Sequence, residues 1–130
     1  MSSRLVGRAE AARWTMHELS IAMSIVELAE EEAAQRGGAR VDAVHLKLGA
    51  LGGVVKAALL SSFELACEGT SLEGSRLVIQ DVPVVVYCSA CDAPRTLESI
   101  QLFISPQCKS PVSKVLEGRE LQVIAMEILE

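Results

Sequence analysis

The sequence predicts an α+β fold in which two helices pack on a three-stranded sheet and a small cysteine-bearing segment is inserted before the last strand. Three observations carry that expectation. Apolar residues recur at helical spacing in two stretches, and they follow strand spacing in three others. Between Tyr87 and Pro111 both patterns stop, and three of the four cysteines cluster there. The order helix, strand, helix, strand, cysteine loop, strand suits helices laid on one face of a sheet. A chain of 130 residues, half of them hydrophobic and 22% charged, has the composition of one globular core and is too apolar to stay disordered.

Residues 1–15 lack sustained periodicity, carry Arg4, Arg8 and Arg13 against the single Glu10, and hold the only tryptophan, Trp14. They read as an extension without regular structure. Without them the remaining body has nine basic and sixteen acidic residues, a net of −7. The change of charge sign just before an internal methionine makes Met16 a candidate for the biological start. From Glu18 to Arg36, Ile21, Ile25, Leu28 and Glu32 recur at intervals of four, three and four, with Ala22, Val26, Ala29 and Ala33 alongside. That is an amphipathic helix, ended by Gly37 and Gly38; the run Glu30 to Glu32 reads as its solvated face.

Val41 to Leu48 alternates as a half-buried strand, with Val44, Leu46 and Leu48 on one side and His45 and Lys47 on the other. Gly49, Gly52 and Gly53 break the chain before a second helix, Val55 to Glu68, whose stripe is Leu59, Phe63 and Ala66 with Leu60 and Cys67 beside it. A strand follows from Arg76 to about Tyr87, and Pro83 within it implies an edge position or a bulge. Arg119 to Leu129 is apolar on both sides and belongs inside a sheet. The domain organisation expected is therefore a main body of residues 16–86 and 112–130, with residues 87–111 inserted as a small ribbon.

A net charge of −5 argues against nucleic-acid binding through phosphate contacts, and 3% aromatics leaves few stacking platforms. No stretch reaches the roughly 18 consecutive apolar residues needed to cross a bilayer, so no membrane partner is expected. The first fifteen residues contain no apolar block of the kind a secretory signal needs, which favours the cytoplasm. In that setting cysteines are metal ligands, reactive thiols or buried core before they are a disulfide framework. Nothing assembles a nucleophile with a base or a phosphate-binding glycine loop, so no catalysis is expected.

Cys88-Ser89-Ala90-Cys91 is a CxxC, whose tight turn can bring two thiolates to one zinc ion, and Cys108 follows after sixteen intervening residues. Ser105-Pro106-Gln107-Cys108 carries serine where a second CxxC would place its first thiol. Three readings stay open: a zinc ribbon completed by water, Asp92 or a partner side chain; a loop that no longer binds metal; and thiol chemistry. A thioredoxin-like role is disfavoured because the motif leads into Asp92, Ala93 and Pro94 rather than into a helix. Cys67, on the apolar side of the second helix, reads as core rather than as a fourth ligand.

Met16-His17-Glu18 stands immediately before the first helix. Alone, a histidine there is usually a surface or capping residue. Taken in order, MHELSIAMSIVELAEEEA, VHLKLGALGGVV, SSFELACEGT, the CxxC, the single cysteine and EGRELQVIAMEI resemble the HypA/HybF family of hydrogenase nickel-incorporation proteins from Met16 to the C-terminus. The resemblance implies a metallochaperone that works with a GTPase to deliver Ni(II), held transiently, to the large subunit of a [NiFe] hydrogenase and in some organisms to urease. It implies nickel at Met16, His17 and Glu18, structural zinc at Cys88, Cys91 and Cys108 with Ser105 at the missing fourth position, and a monomer or homodimer. The family places glycine after each CxxC, where this chain has Asp92 and Lys109. An alternative of another class is a zinc-ribbon scaffold of a maturation complex that carries no nickel itself.

Overall fold

A computed structural model describes residues 2–4 and 18–129. In chain order its elements are β1 (Ser2–Arg4), α1 (Glu18–Gln35), β2 (Arg40–Gly49), a 3-10 turn (Ala50–Gly52), α2 (Lys56–Cys67), β3 (Arg76–Val82), β4 (Val85–Cys88), β5 (Ala93–Thr96), β6 (Lys114–Glu117) and β7 (Leu121–Leu129). The α+β expectation holds, and both helices lie within a residue or two of their sequence-read bounds.

Burial follows the periodicities. Helix α1 buries Ile21, Ala22, Ile25, Val26, Ala29 and Ala33, while α2 buries Leu59, Phe63 and Cys67. Each large aliphatic side chain removed from water in this way contributes about 1.5–3 kcal/mol relative to exposure. Leu60, placed by its spacing beside the α2 stripe, is instead exposed. These residues meet Val44, Leu46, Leu48, Val123, Met126 and Ile128 of the sheet in one cluster. Glu18 accepts a hydrogen bond from the Val55 N–H at 2.9 Å, and Glu30 one from the Ser71 hydroxyl at 3.3 Å. The two helices therefore run side by side with their N-termini at the same end.

The main sheet has the order β1-β7-β2-β3. Strands β2 and β3 are parallel, with α2 as the crossover between them, and β7 is antiparallel to both of its neighbours. The doubly apolar β7 lies inside the sheet, as its composition requires. Away from the core the sheet is polar: His45 Nε2 stands 2.6 Å from Glu127, and Arg76 reaches Asp42 at 3.4 Å and Glu127 at 3.7 Å.

Two expectations need correction. The sheet has a fourth strand because Ser2–Arg4, read as part of an irregular extension, pairs with Met126–Ile128 of β7. Backbone pairing on an open strand edge requires no side-chain pattern, so periodicity had nothing to register. The strand expected from Arg76 to Tyr87 is two strands in two sheets. Pro83 has no N–H with which to continue the ladder, so β3 stops at Val82 on the sheet edge and β4 starts a second sheet of order β5-β4-β6. Pairing carries this second sheet out to Val85 and Glu117. It has its own small core of Val84, Val86, Cys88, Leu97 and Val112, with Leu51, Cys91, Phe103 and Val115 packed against it.

Candidate metal centre

Two loops of the second sheet have the same local shape. Cys88 ends β4 and Ala93 opposite it opens β5, so residues 89–92 form the hairpin connection. The Cys88 sulfur accepts the Cys91 N–H at 3.4 Å, and Asp92 follows in the left-handed region at φ 55°. Asp92 is kept there by accepting a hydrogen bond from the Tyr87 hydroxyl, which in turn raises the Tyr87 pKa. In the other loop the Ser105 hydroxyl accepts the N–H groups of Gln107 at 3.2 Å and Cys108 at 3.3 Å. Lys109 follows at φ 64° and donates its N–H to the Ser105 carbonyl at 2.9 Å. A bridge from Ile104 to Pro111 pins the base of this loop.

The loops bring the three sequence-chosen cysteines together. The sulfurs of Cys88, Cys91 and Cys108 lie within 4.8 Å of one another. Cys88 and Cys108 are 3.5 Å apart, and the Cys91 sulfur is 3.9 Å from the Ser105 oxygen. Thiolates each ~2.3 Å from a tetrahedral zinc stand about 3.8 Å from one another, so the cluster has the dimensions of such a site. Cys88 is buried, Cys91 half-buried and Cys108 exposed. Hydrogen bonds from Ser110, then from Ser105, bring the Cys108 pKa down to about 6, so this thiol is a ready ligand at neutral pH. The Cys91 pKa moves up, chiefly because of its contact with Cys108 and its burial; Ser105 and Arg95 pull it the other way.

The remaining sequence candidates divide clearly. Asp92, an alternative fourth ligand, gives its carboxylate to Tyr87 and is outside the cluster. Cys67 is buried in the main core, where burial and then Glu30 push its pKa up to about 11; it acts there as a small apolar residue. Met16 and His17 lie outside the described residues. Glu18 is described, and its contact with Val55 ties the third residue of the motif to the start of α2. Ser110 and Arg95, which bear on the thiols, carry no pattern in the sequence that singles them out.

Comparison with known proteins adds an independent line. Residues 16–128 match the family model described as hydrogenase/urease nickel incorporation, metallochaperone, HypA. The chain belongs to the HypA family. A hydrogenase maturation factor HypA of Chloroflexus aurantiacus is 51% identical over 112 residues, covering 86% of this chain and 98% of that protein. One from Roseiflexus sp. is also 51% identical, covering 86% and 91% respectively. Among solved structures, the solution structure of the Ni metallochaperone HypA from Helicobacter pylori matches at 25% identity with a TM-score of 0.60. That match covers 88% of this chain and 98% of the other. The HypA resemblance read from separated motifs is thus matched by family, by relatives and by fold.

Proposed function

We propose that this chain carries Ni(II) and inserts it during [NiFe] hydrogenase maturation, taking the ion at Met16, His17 and Glu18. The observation that carries this reading is the family match over residues 16–128, whose first residue is the methionine of the Met-His-Glu motif. The nickel is cargo. The amine of a chain starting at Met16, the deprotonated amide of His17 and the His17 imidazole form adjacent chelate rings, a nitrogen donor set that suits Ni(II). Both the amine and the imidazole must lose protons before they bind, so loading weakens in acid. Glu18 opens α1 and accepts the Val55 N–H at the head of α2, and the amine and imidazole donors belong to the two residues that precede it in the sequence. A partner can replace such donors one at a time, which suits delivery.

Cys88, Cys91 and Cys108 would hold zinc, and their geometry fits it. Zinc there is structural: it ties two loops of a sheet whose core is small. The chain itself is non-catalytic; a GTPase of the maturation machinery and the hydrogenase large subunit are the partners, in the cytoplasm.

Nickel titration of a form beginning at Met16 should give one ion per chain, and His17→Ala should abolish binding while leaving the circular dichroism unchanged. The form that keeps residues 1–15, in which the Met16 nitrogen is a peptide nitrogen, should bind far more weakly. Equal nickel binding by His17→Ala and its parent would remove the site and leave a scaffold role for the ribbon.

A further inference from the structure

We propose that Ser105 is the fourth donor of the metal site, which makes it a cage of three sulfurs and one oxygen. The inference rests on the reading that Cys88, Cys91 and Cys108 hold zinc, and it assigns the corner that those three leave open. The two loops are equivalent position by position. Cys88 and Ser105 each receive the N–H of the residue three further on, at 3.4 and 3.3 Å, and that residue is a cysteine in both loops. A left-handed residue then follows in each, Asp92 and Lys109. Ser105 therefore stands to Cys108 as Cys88 stands to Cys91, and its oxygen sits where the fourth sulfur of a paired CxxC site would be.

Burial strengthens the assignment. Ser105 is the one polar residue among the described buried residues, with no exposed surface. Its oxygen accepts two backbone N–H groups, and the Cys91 sulfur lies 3.9 Å from it. The hydroxyl thus faces the thiols from inside the fold. Asp92 is engaged by Tyr87 and does not compete for the corner.

The chemical consequence is a weaker and less charged cage. Three thiolates and a neutral hydroxyl around Zn(II) carry a net −1, against −2 for four thiolates. The oxygen bond is also the easiest to break, so one vertex is exchangeable by design of the sequence. The ion should be held well enough to order the loops yet pass to a chelator faster than from a four-sulfur site.

Co(II) replacing Zn(II) in the full chain reads the donor set directly. Parent protein should bind one Co(II) with a tetrahedral spectrum, and Ser105→Cys should raise the sulfur-to-cobalt charge-transfer intensity by one thiolate. In competition with a chromogenic chelator, Ser105→Cys should hold zinc at least about tenfold more tightly and Ser105→Ala about tenfold less tightly than the parent. Ser105→Ala should also shift the cobalt ligand-field bands as its oxygen donor is lost. Cobalt spectra and zinc affinity of Ser105→Ala that match the parent would overturn the fourth-donor assignment while leaving the three-cysteine site intact. If Ser105→Ala does not fold, Ser105→Cys decides. A residue-105 thiol that stays open to alkylation in the cobalt-loaded protein shows that this side chain does not reach the metal. Absence of metal from both parent and Ser105→Cys would instead sink the zinc reading and the inference with it.

Discussion

Lys109 occupies a backbone conformation that glycine takes without cost, at φ 64°, and gains little in return. Its N–H completes the loop by donating to Ser105, which any non-proline residue would do, and among the described residues its ammonium reaches the Pro106 carbonyl alone, at 3.3 Å. A residue with a Cβ pays about 1–2 kcal/mol in this region, and part of that is offset by the larger unfolded-state entropy of glycine. Lys109→Gly should therefore stabilise the metal-loaded protein by about 1 kcal/mol, read as a higher urea midpoint at unchanged slope. Asp92 is the contrasting case. Aspartate tolerates the left-handed region better, and its carboxylate accepts the Tyr87 hydroxyl, so Asp92→Gly exchanges relieved strain for a lost hydrogen bond. A Lys109→Gly midpoint at or below the parent's would mean that the left-handed turn is not a source of strain.

At the scale of elements, the joint between the sheets depends on a glycine for room. Gly49 ends β2, where its N–H donates to the Glu120 carbonyl at 2.7 Å, while the Leu51 N–H meets the Gly118 carbonyl at 2.8 Å. A Cβ at Gly49 would come within 2.2 Å of the Gly118 oxygen and 2.6 Å of the Glu120 nitrogen. Those are backbone atoms and cannot step aside as a flexible side chain would. Gly49→Ala should destabilise the protein by about 3 kcal/mol, the upper range for overpacking, and urea unfolding measures it. A change under about 1 kcal/mol would show that the joint can shift. This is also where the sequence stops being legible. Helices α1 and α2 and strand β2 are legible because each presents an apolar stripe to one core, and β7 because it is apolar on both sides. Pro83 was visible as a flaw in a strand, but nothing local says that the chain changes sheets there. Strand β1 was invisible because three residues pairing along an edge need no pattern. Likewise Ser105 could be read as a missing ligand from its spacing, whereas its orientation toward Cys91 depends on a loop pinned by residues 104 and 111.

The whole molecule has two cores of unequal strength. The larger one joins both helices to the main sheet and contains Phe63, Leu59, Leu46 and Met126, all at 2% exposure or less. The smaller consists of five buried residues, one of them Cys88 of the sulfur cluster. A core of that size does not sustain a sheet against its conformational entropy, and small units of this kind generally require a metal or a disulfide. The cysteines here are free, so the metal is the available staple. Chelation should therefore loosen β4, β5 and β6 while the main sheet survives. Hydrogen exchange read by mass spectrometry tests this: after zinc removal, amides of residues 85–117 should exchange near the unfolded rate, and those of β2, β7 and α1 should keep their protection. The boundary should fall at Gly118 to Leu121, where the hydrogen bonds of Gly49 and Leu51 belong to the larger unit. Loss of protection in β2 and β7 to the same extent would show that the two cores unfold together, so that the metal stabilises the main body as well as the ribbon.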